Sequence, residues 1–230
     1  VYVVAPLTEQ SAVGHSVTIF SPVRVREIRE DGFSGIGLSG TPVDCVKWAL
    51  SHHLQSKPDL IISGINNGAN VGVDILYSGT VAAATEAALA GIPALAVSID
   101  DFHPLDLAKQ AEFVARFIKG LDLADCPPQR VLNLNFPKGP LEQTRGLRVC
   151  PQTQAVYDDR YEQRTDPRGN AYFWLSGEIP AENLEPDTDR ELLSRGYLTL
   201  TPLRFDFSDR ELISRIKRLE ETFPPETLSR

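Results

Sequence analysis

Residues 58–99 have the sequence PDLIISGINNGANVGVDILYSGTVAAATEAALAGIPALAVSI, and the fold class follows from the order of its parts. The segment begins and ends with short apolar runs, at 58–64 and 94–99, which are typical of strands buried on both faces. Between them, the alanine-rich residues 80–89 are typical of a helix, because alanine is the best helix former. A strand, a helix and a second strand in this order predict a β-α-β unit with parallel strands.

The sequence upstream of this unit continues the same alternation. Residues 1–5 form an apolar run, and a second extended run follows at 17–20. Gly-Thr-Pro-Val-Asp at 40–44 predicts the start of a helix, since Thr41 can cap it and Pro42 suits its first turn. These segments add a buried strand and a helix to the unit.

Downstream, residues 105–121 repeat apolar side chains at helical spacing, and residues 131–136 form one more apolar strand. We therefore predict a Rossmann-like α/β core over residues 1–137, with a mostly parallel sheet flanked by helices. Beyond this core, strand-like runs follow one another without helices between them. Residues 138–230 are expected to form an antiparallel β-hairpin appendage with a closing helix near 209–221, to belong in part to the same structural domain, and to serve oligomerisation.

The composition limits the classes of function. The 230 residues carry a formal net charge of −8, which argues against a basic surface for duplex nucleic acid or anionic lipid. No apolar run approaches the ~20 residues that span a bilayer. Three cysteines at scattered positions predict neither a disulfide framework nor a zinc cluster. We expect a cytoplasmic protein that binds neither a nucleic-acid duplex nor a membrane.

Three polar loops follow predicted strands, at the sheet edge where open α/β folds bind their ligands. These loops span residues 11–16, 63–72 and 77–80. Adjacent strand ends lie only about 5 Å apart, so loops distant in sequence can meet there. We expect one cavity to collect side chains from all three loops.

The third loop places Ser78, Gly79 and Thr80 at the start of the alanine-rich helix. A helix start presents unpaired backbone N–H groups and the positive end of the helix dipole, and Gly79 allows an anion to approach the backbone. A phosphate group would suit this position. The alternative is that Ser78 serves only as an N-cap, because serine is a preferred capping residue.

The second loop, residues 63–72, contains three glycines and three asparagines. Asparagine carbonyls are hard oxygen ligands, and asparagine amides can donate to phosphate oxygens. No Gly-Lys-Ser/Thr follows, which excludes a P-loop, and the glycine spacing is not the G-x-G-x-x-G of a dinucleotide-binding oxidoreductase. The alternative is a plain glycine-rich turn whose asparagines adopt positive φ.

Other polar residues are weaker candidates. The pair Asp100-Asp101 could bind a metal, but such pairs are more often solvated or capping. His52-His53 suits the negative end of a helix dipole, and His15 could reach a substrate from its loop. The cysteines have no histidine partner at any motif spacing, so a thiol nucleophile is not expected.

Several motifs together resemble the survival protein SurE family, whose members are divalent-metal-dependent phosphatases acting on 5′- and 3′-nucleotides. The resemblance is carried mainly by Val-Val-Ala-Pro at 3–6, Gly-Thr-Pro-Val-Asp-Cys-Val at 40–46, Ser-Gly-Ile-Asn at 63–66 with the loop to 72, and Tyr-Ser-Gly-Thr-Val at 77–81. Segments 166–169 and 196–203 are also similar. The resemblance therefore extends along nearly the whole chain.

The resemblance implies hydrolysis of nucleoside 5′- and 3′-monophosphates with one divalent metal ion, Mg²⁺ or Mn²⁺. It implies metal ligation by Ser11 and Asn66, and catalytic roles beside the phosphate for Asn70 and Ser78. The phosphate-binding set that it implies comprises Asn66, Asn70, Ser78, Gly79 and Thr80. A homodimer or homotetramer is the implied assembly.

The family also has an Asn-Asp-Asp-Gly motif whose paired aspartates bind the metal, and no part of the 230 residues matches it. We expect this motif upstream of Val1, on a strand between the runs at 1–5 and 60–63. Asp100-Asp101 follows a later strand and is not a substitute. If the paired aspartates were truly absent, the alternative would be a non-catalytic nucleotide-binding module.

Overall fold

The computed structural model describes residues 1–30 and 32–223. The strands, in chain order, are β1 (Val4–Pro6), β2 (Val25–Glu30), β3 (Phe33–Leu38), β4 (Ile61–Asn67), β5 (Ala94–Ile99), β6 (Arg130–Phe136), β7 (Leu147–Val149), β8 (Asp158–Thr165), β9 (Ala171–Glu178) and β10 (Leu198–Arg204). The α-helices are α1 (Pro42–Trp48), α2 (Gly79–Leu89), α3 (Ala108–Gly120), α4 (Asp189–Ser194), α5 (Arg210–Ile216) and α6 (Leu219–Thr222). No helix within these residues is long and apolar enough to cross a bilayer.

The central sheet has the strand order β4-β5-β6-β10-β7. Strands β4, β5 and β6 are parallel, which confirms the predicted β-α-β unit, and every residue of β5 is buried. Strand β10 pairs antiparallel with β6, and β7 pairs parallel with β10. We had expected both strands in the appendage. They extend the central sheet instead, because the apolar side chains of β10 pack into its core.

Helices α2 and α3 cover opposite faces of this sheet. Side chains of β5 alternate between the faces, so that Ala94 and Ala96 pack in the α2 core while Leu95 and Val97 pack in the α3 core. Alanine predominates in α2, and its small side chains suit a helix that is buried on nearly all sides, between the sheet and α1. The start of α2 is thereby fixed against the ends of the parallel strands.

The predicted start of α1 is confirmed. The Oγ1 atom of Thr41 accepts a hydrogen bond from the backbone nitrogen of Asp44, and the Asp44 carboxylate accepts one from the backbone nitrogen of Thr41. This is a capping box, with Pro42 in the first turn as expected. The helix continues into a π-helical turn at Ala49–His53.

A second sheet has the order β1-β3-β2, in which β1 is parallel to β3 and β2 is antiparallel to it. The hairpin of β2 and β3 was not predicted, although the Asp-Gly pair at 31–32 is a turn signal typical of tight hairpins. The extended run expected at 17–20 forms no strand.

Strands β1 and β4 are not hydrogen-bonded to each other. Within the residues that the structure describes, β1 pairs only with β3 and β4 only with β5. Direct pairing of β1 with β4 would have contradicted the strand that we expect between them. That intervening strand stays a prediction.

The hairpin of β8 and β9 forms a separate two-stranded sheet whose residues are almost all exposed. Residues 154–157, one of the strand-like runs expected after the core, form no strand. Beyond the hairpin, α4 packs against β10, and α5 and α6 together occupy the region of the expected closing helix.

Candidate functional site

A pocket of ≈820 Å³ lies between the chain that follows β1 and the loop that follows β4. Its walls come from all three polar loops singled out in the sequence. The predicted site residues that line it are Ser11, Asn66, Asn70, Ser78, Gly79 and Thr80. The predicted convergence in one cavity is confirmed, because all three loops meet at the carboxyl edge of the parallel strands.

Ser78 occupies the N-cap of α2. Its Oγ accepts a hydrogen bond of 3.1 Å from the backbone nitrogen of Val81, so Ser78 does cap this helix. A capping bond uses only a lone pair of the oxygen, and the hydroxyl hydrogen can still donate to another group. The first backbone N–H groups of α2, from Gly79 onwards, have no partner within the helix. This end of the pocket can therefore offer several donors to an anion.

Asn66 lies at the end of β4 and lines the pocket. Its Nδ2 donates to the backbone oxygens of Asn67 and Gly68, at 3.1 and 2.7 Å. These two bonds use both amide hydrogens and leave Oδ1 as the ligand atom of the side chain. Asn66 can therefore donate a hard oxygen to a cation while its amide group is held by the loop.

Ser11 reaches the same pocket from the chain after β1, where its Oγ donates a hydrogen bond of 2.6 Å to Oε1 of Glu9. Glu9 also lines the pocket, so a carboxylate stands beside the predicted hydroxyl ligand. These donors are all oxygen atoms, a set that suits Mg²⁺ or Mn²⁺ rather than a softer metal. Over the described ranges, no group of three or more His, Cys, Asp or Glu side chains could hold a metal ion.

Asn70 is buried at the base of the pocket, where its backbone is bound by two asparagines of β6. Its nitrogen donates to Oδ1 of Asn135 at 2.9 Å, and its oxygen accepts from Nδ2 of Asn133 at 2.8 Å. Its side-chain Nδ2 donates to Oγ of Ser98 on β5 at 2.7 Å. The position of Asn70 is thus set by buried polar groups of the sheet.

These supporting side chains were not predicted from the sequence. Ser98, Asn133 and Asn135 are all completely buried in the central strands β5 and β6. The available signal was the alternation of two asparagines within the otherwise apolar β6. A buried polar side chain is costly unless it is hydrogen-bonded, so two of them on one face of a core strand indicate a polar partner above that face.

The glycines and asparagines of the 63–72 loop have different backbone roles. Gly64, Gly68 and Gly72 all adopt positive φ, whereas no asparagine of the loop does. The alternative that the asparagines were selected for positive φ is therefore wrong. Their side chains are free to serve the pocket, while the glycines carry the backbone turns.

The end of this loop is bound to α4 through Asp189, a completely buried carboxylate. Its two oxygens accept hydrogen bonds of 2.9 Å from the backbone nitrogens of Gly72 and Thr153. Burial raises the pKa of Asp189, and the backbone N–H groups oppose that rise. The next residue, Arg190, contacts Asp74 at the pocket wall.

The weaker candidates lie outside the pocket wall. His15 bonds to Glu86 of α2 at 3.0 Å. Asp101 accepts a hydrogen bond from His103 and lines a different cavity. Burial raises the pKa of the Cys45 thiol to about 12, helped by the neighbouring Asp44, which makes a thiolate nucleophile untenable there.

His52 and His53 are placed beside aromatic side chains. The ring of Trp48 stacks on His53 at 5.3 Å and lies 5.6 Å from His52. These contacts agree with a structural role for both histidines.

Comparison with known proteins identifies relatives of this chain. The sequence model of a family described as "Survival protein SurE" matches residues 1–159. A curated protein of Solidesulfovibrio magneticus named 5'-nucleotidase SurE is 62% identical over 209 residues, covering 91% of this chain and 82% of the relative. A protein of the same name from Nitratidesulfovibrio vulgaris is 58% identical over 220 residues, covering 96% and 82%.

The fold has a counterpart of known structure. The crystal structure of the SurE protein from Aquifex aeolicus is similar to this chain with a TM-score of 0.79 at 34% sequence identity. The similarity covers 94% of this chain and 87% of that chain, so it includes both the central sheet and the segment after it.

Proposed function

Because the chain belongs to the survival protein SurE family, we propose that it hydrolyses nucleoside 5′- and 3′-monophosphates to nucleoside and phosphate with the help of a divalent metal ion. Nucleotidase activity, and with it a place among the hydrolases, is supported by the names of curated relatives at 62% and 58% identity. Those names favour an enzyme over a non-catalytic nucleotide-binding module.

The observation that supports the proposal best is the meeting of three polar loops in one pocket. Within it we define the phosphate cradle as Asn66, Asn70, Ser78, Gly79 and Thr80. The cradle combines the Asn70 amide, a hydroxyl and the start of a helix, all of which favour an anion. A phosphomonoester fits this chemistry.

The chain's own groups have distinct tasks in the proposed reaction. The Ser78 hydroxyl and the backbone N–H groups at the start of α2 donate to phosphate oxygens, where negative charge increases in the transition state. The Asn70 side chain is held at the base of the pocket by Ser98 and contributes to the same stabilisation. Such fixed donors need no reorganisation during the reaction, which is the source of their effect.

The oxygen donors of the pocket fit one divalent metal ion, Mg²⁺ or Mn²⁺. In our proposal Oδ1 of Asn66 and Oγ of Ser11 would hold it, and the family resemblance adds the paired aspartates expected upstream of Val1. When bound, such an ion supplies positive charge to the phosphate and lowers the pKa of a water nucleophile. Neutral oxygens alone bind such cations weakly, so a carboxylate partner is part of the proposal.

The proposal includes a homodimer or homotetramer in which residues 138–230 contribute to the interface. The exposed hairpin of β8 and β9 supports it, since an isolated two-stranded hairpin is marginally stable in water. A cytoplasmic location is also proposed, on the ground that Cys45 and Cys150 are free thiols.

The direct test is phosphate release by the natural full-length protein from adenosine 5′-monophosphate and adenosine 3′-monophosphate. We expect release from both with Mn²⁺ or Mg²⁺ and none after chelation with EDTA. The Ser78→Ala variant serves as the catalytic control, and the His52→Ala variant as the control outside the pocket. Tight nucleotide binding without phosphate release, in the presence of metal, would instead identify a binding module.

A further inference from the structure

The pocket is larger than a phosphate group requires. Its volume of ≈820 Å³ lies within the range of about 300–1,000 Å³ that is typical of small-molecule sites. Beyond the phosphate cradle, aromatic side chains form part of its wall: Tyr77, Phe102 and Tyr157. This part of the pocket is suited to a flat, apolar portion of a ligand.

Phe102 is the most open of these rings, with 73% of the residue exposed, yet it is held in a defined place. A Cβ atom at Gly68 would lie only 2.7 Å from Cε1 of Phe102, so the ring lies against the backbone of the 63–72 loop where that residue has no side chain. The backbone nitrogen of Gly68 also donates to the oxygen of Asp101 at 3.0 Å. The ring is therefore tied to the loop that carries Asn66.

The other two rings are less suitable for stacking. Tyr157 donates a hydrogen bond to Asp74, and the guanidinium of Arg190 lies over its ring at 5.5 Å, so one of its faces is taken. Tyr77 directly precedes Ser78 and flanks the phosphate cradle itself. Phe102 is the most exposed of the three and lines the same pocket, so its ring is accessible to a ligand.

We propose that Phe102 is the ring on which the nucleobase of a mononucleotide stacks when its phosphate lies in the phosphate cradle. Every nucleobase has an apolar π-face, and stacking on an aromatic side chain strengthens binding with little dependence on base identity. Phe102 is then a specificity-determining residue, which favours nucleotides over phosphomonoesters that lack a base. This inference rests on the proposed function, since it takes the phosphate position from it.

The test compares two ligands that differ only in the base, adenosine 5′-monophosphate and ribose 5-phosphate. Their dissociation constants are measured by calorimetry on the natural full-length protein with EDTA, where we expect no turnover, and hydrolysis with Mn²⁺ is measured in parallel. The variants are Phe102→Ala, Phe102→Trp as the conservative replacement, and Phe207→Ala as a matched control. Phe207 is 82% exposed and lies outside the pocket wall.

We expect Phe102→Ala to weaken binding of the nucleotide about 10-fold and to leave binding of ribose 5-phosphate unchanged. Phe102→Trp should retain nucleotide binding, and its indole fluorescence should be quenched by the nucleotide but not by ribose 5-phosphate. The inference is overturned if Phe102→Ala affects both ligands equally or neither, if Phe207→Ala has the same effect, or if the wild-type protein does not prefer the nucleotide. Absence of hydrolysis in the wild-type protein would refute the proposed function alone, because the binding comparison still decides the role of Phe102.

Discussion

The backbone nitrogen of Asn70 donates a 2.9 Å hydrogen bond to Oδ1 of Asn135, which joins a pocket loop to the centre of the sheet. The two residues are 65 positions apart, and Asn135 is completely buried. A backbone amide that is bound by a rigid strand has little freedom to move. The location of the Asn70 side chain in the pocket therefore depends on a residue that does not line the pocket.

The first prediction concerns Asn135 as a positioning residue. Asn135→Ala leaves the Asn70 amide without its acceptor, which we expect to lower stability by about 1–3 kcal/mol. We also expect a lower kcat for nucleotide hydrolysis, because Asn70 loses its fixed position. Thermal unfolding and steady-state kinetics measure the two effects.

The matched control for this prediction is Thr85→Ala. Thr85 is also buried, and its hydroxyl bonds to the Val81 oxygen inside α2, away from the pocket wall. We expect this variant to lose stability but to keep its kcat. Equal losses of kcat in the two variants would show that Asn135 acts through general stability alone.

The β-α-β unit and the convergence of the polar loops could be predicted because they depend on local patterns. The apolar run before Ser63, the cap at Ser78 and the alanine-rich helix are each contiguous in sequence. Parallel connection then brings successive loops to one edge of the sheet. The meeting of the polar loops in one pocket follows from this geometry.

Pairings between distant segments could not be predicted in the same way. Strand β10 lies beside β6 with a register of Leu200 opposite Leu134, and the two segments are separated by a hairpin and a helix. Its apolar pattern would suit an appendage equally well. The buried support from Asn133 and Asn135 was missed for a related reason, since their partner in the 63–72 loop is distant in sequence.

The second prediction concerns the metal ion. Asn66→Ala removes the Oδ1 ligand, and we expect a higher Mn²⁺ concentration for half-maximal activity with a smaller change in kcat at saturating metal. Asn183→Ala, at an exposed position outside the pocket wall, is the control. Activity measured as a function of Mn²⁺ concentration gives the half-maximal concentration and the kcat, and calorimetric titration with Mn²⁺ gives the metal affinity. An unchanged metal dependence would exclude Asn66 as a ligand.

The third prediction separates the two roles of Ser78. Ser78→Ala removes the cap of α2, which should cost about 1 kcal/mol of stability. If the hydroxyl also donates to the transition state, kcat should fall by ~10²-fold or more. Thr41→Ala removes the comparable cap of α1 and should lower stability without this loss of kcat. A wild-type kcat in Ser78→Ala would show that the hydroxyl is only a cap.

The fourth prediction is a pH dependence of stability through Asp44. Burial acts to raise the pKa of Asp44, but hydrogen bonds from Thr18 and Thr41 outweigh it and hold the pKa below its usual value of 3.8. A carboxyl group with a lowered pKa stabilises the fold above the unfolded-state pKa, and this contribution is lost as pH falls through the folded-state pKa.

Wild-type protein should therefore be more stable than Asp44→Asn at pH 7, and the difference should shrink progressively below about pH 4. Thermal unfolding of both proteins across the acid range measures it, and Asp59→Asn controls for the loss of an exposed carboxylate. A stability difference that is independent of pH would contradict the assignment of this effect to the Asp44 charge.

The fifth prediction concerns the hairpin of β8 and β9 as an interface between copies of this chain. Tyr161 lies opposite Leu175 in the ladder, and Phe173 is on the same face, whereas Trp174 and Tyr172 are on the other. All of these side chains are exposed, so the hairpin presents apolar surface on both faces. Such a surface is typical of protein interfaces.

We expect the wild-type protein to have the mass of a dimer or tetramer at micromolar concentration in light scattering coupled to size-exclusion chromatography. Replacing both Phe173 and Leu175 by Ser removes the apolar side chains of one hairpin face, and this double variant should shift the mass towards that of the 25.4 kDa chain. Leu105→Ser, at an exposed leucine far from the hairpin in sequence, should keep the wild-type mass. Phosphate release at the same concentration then shows whether assembly is needed for turnover. A monomeric wild-type protein, or an unchanged mass in the double variant, would remove this face of the hairpin from the interface.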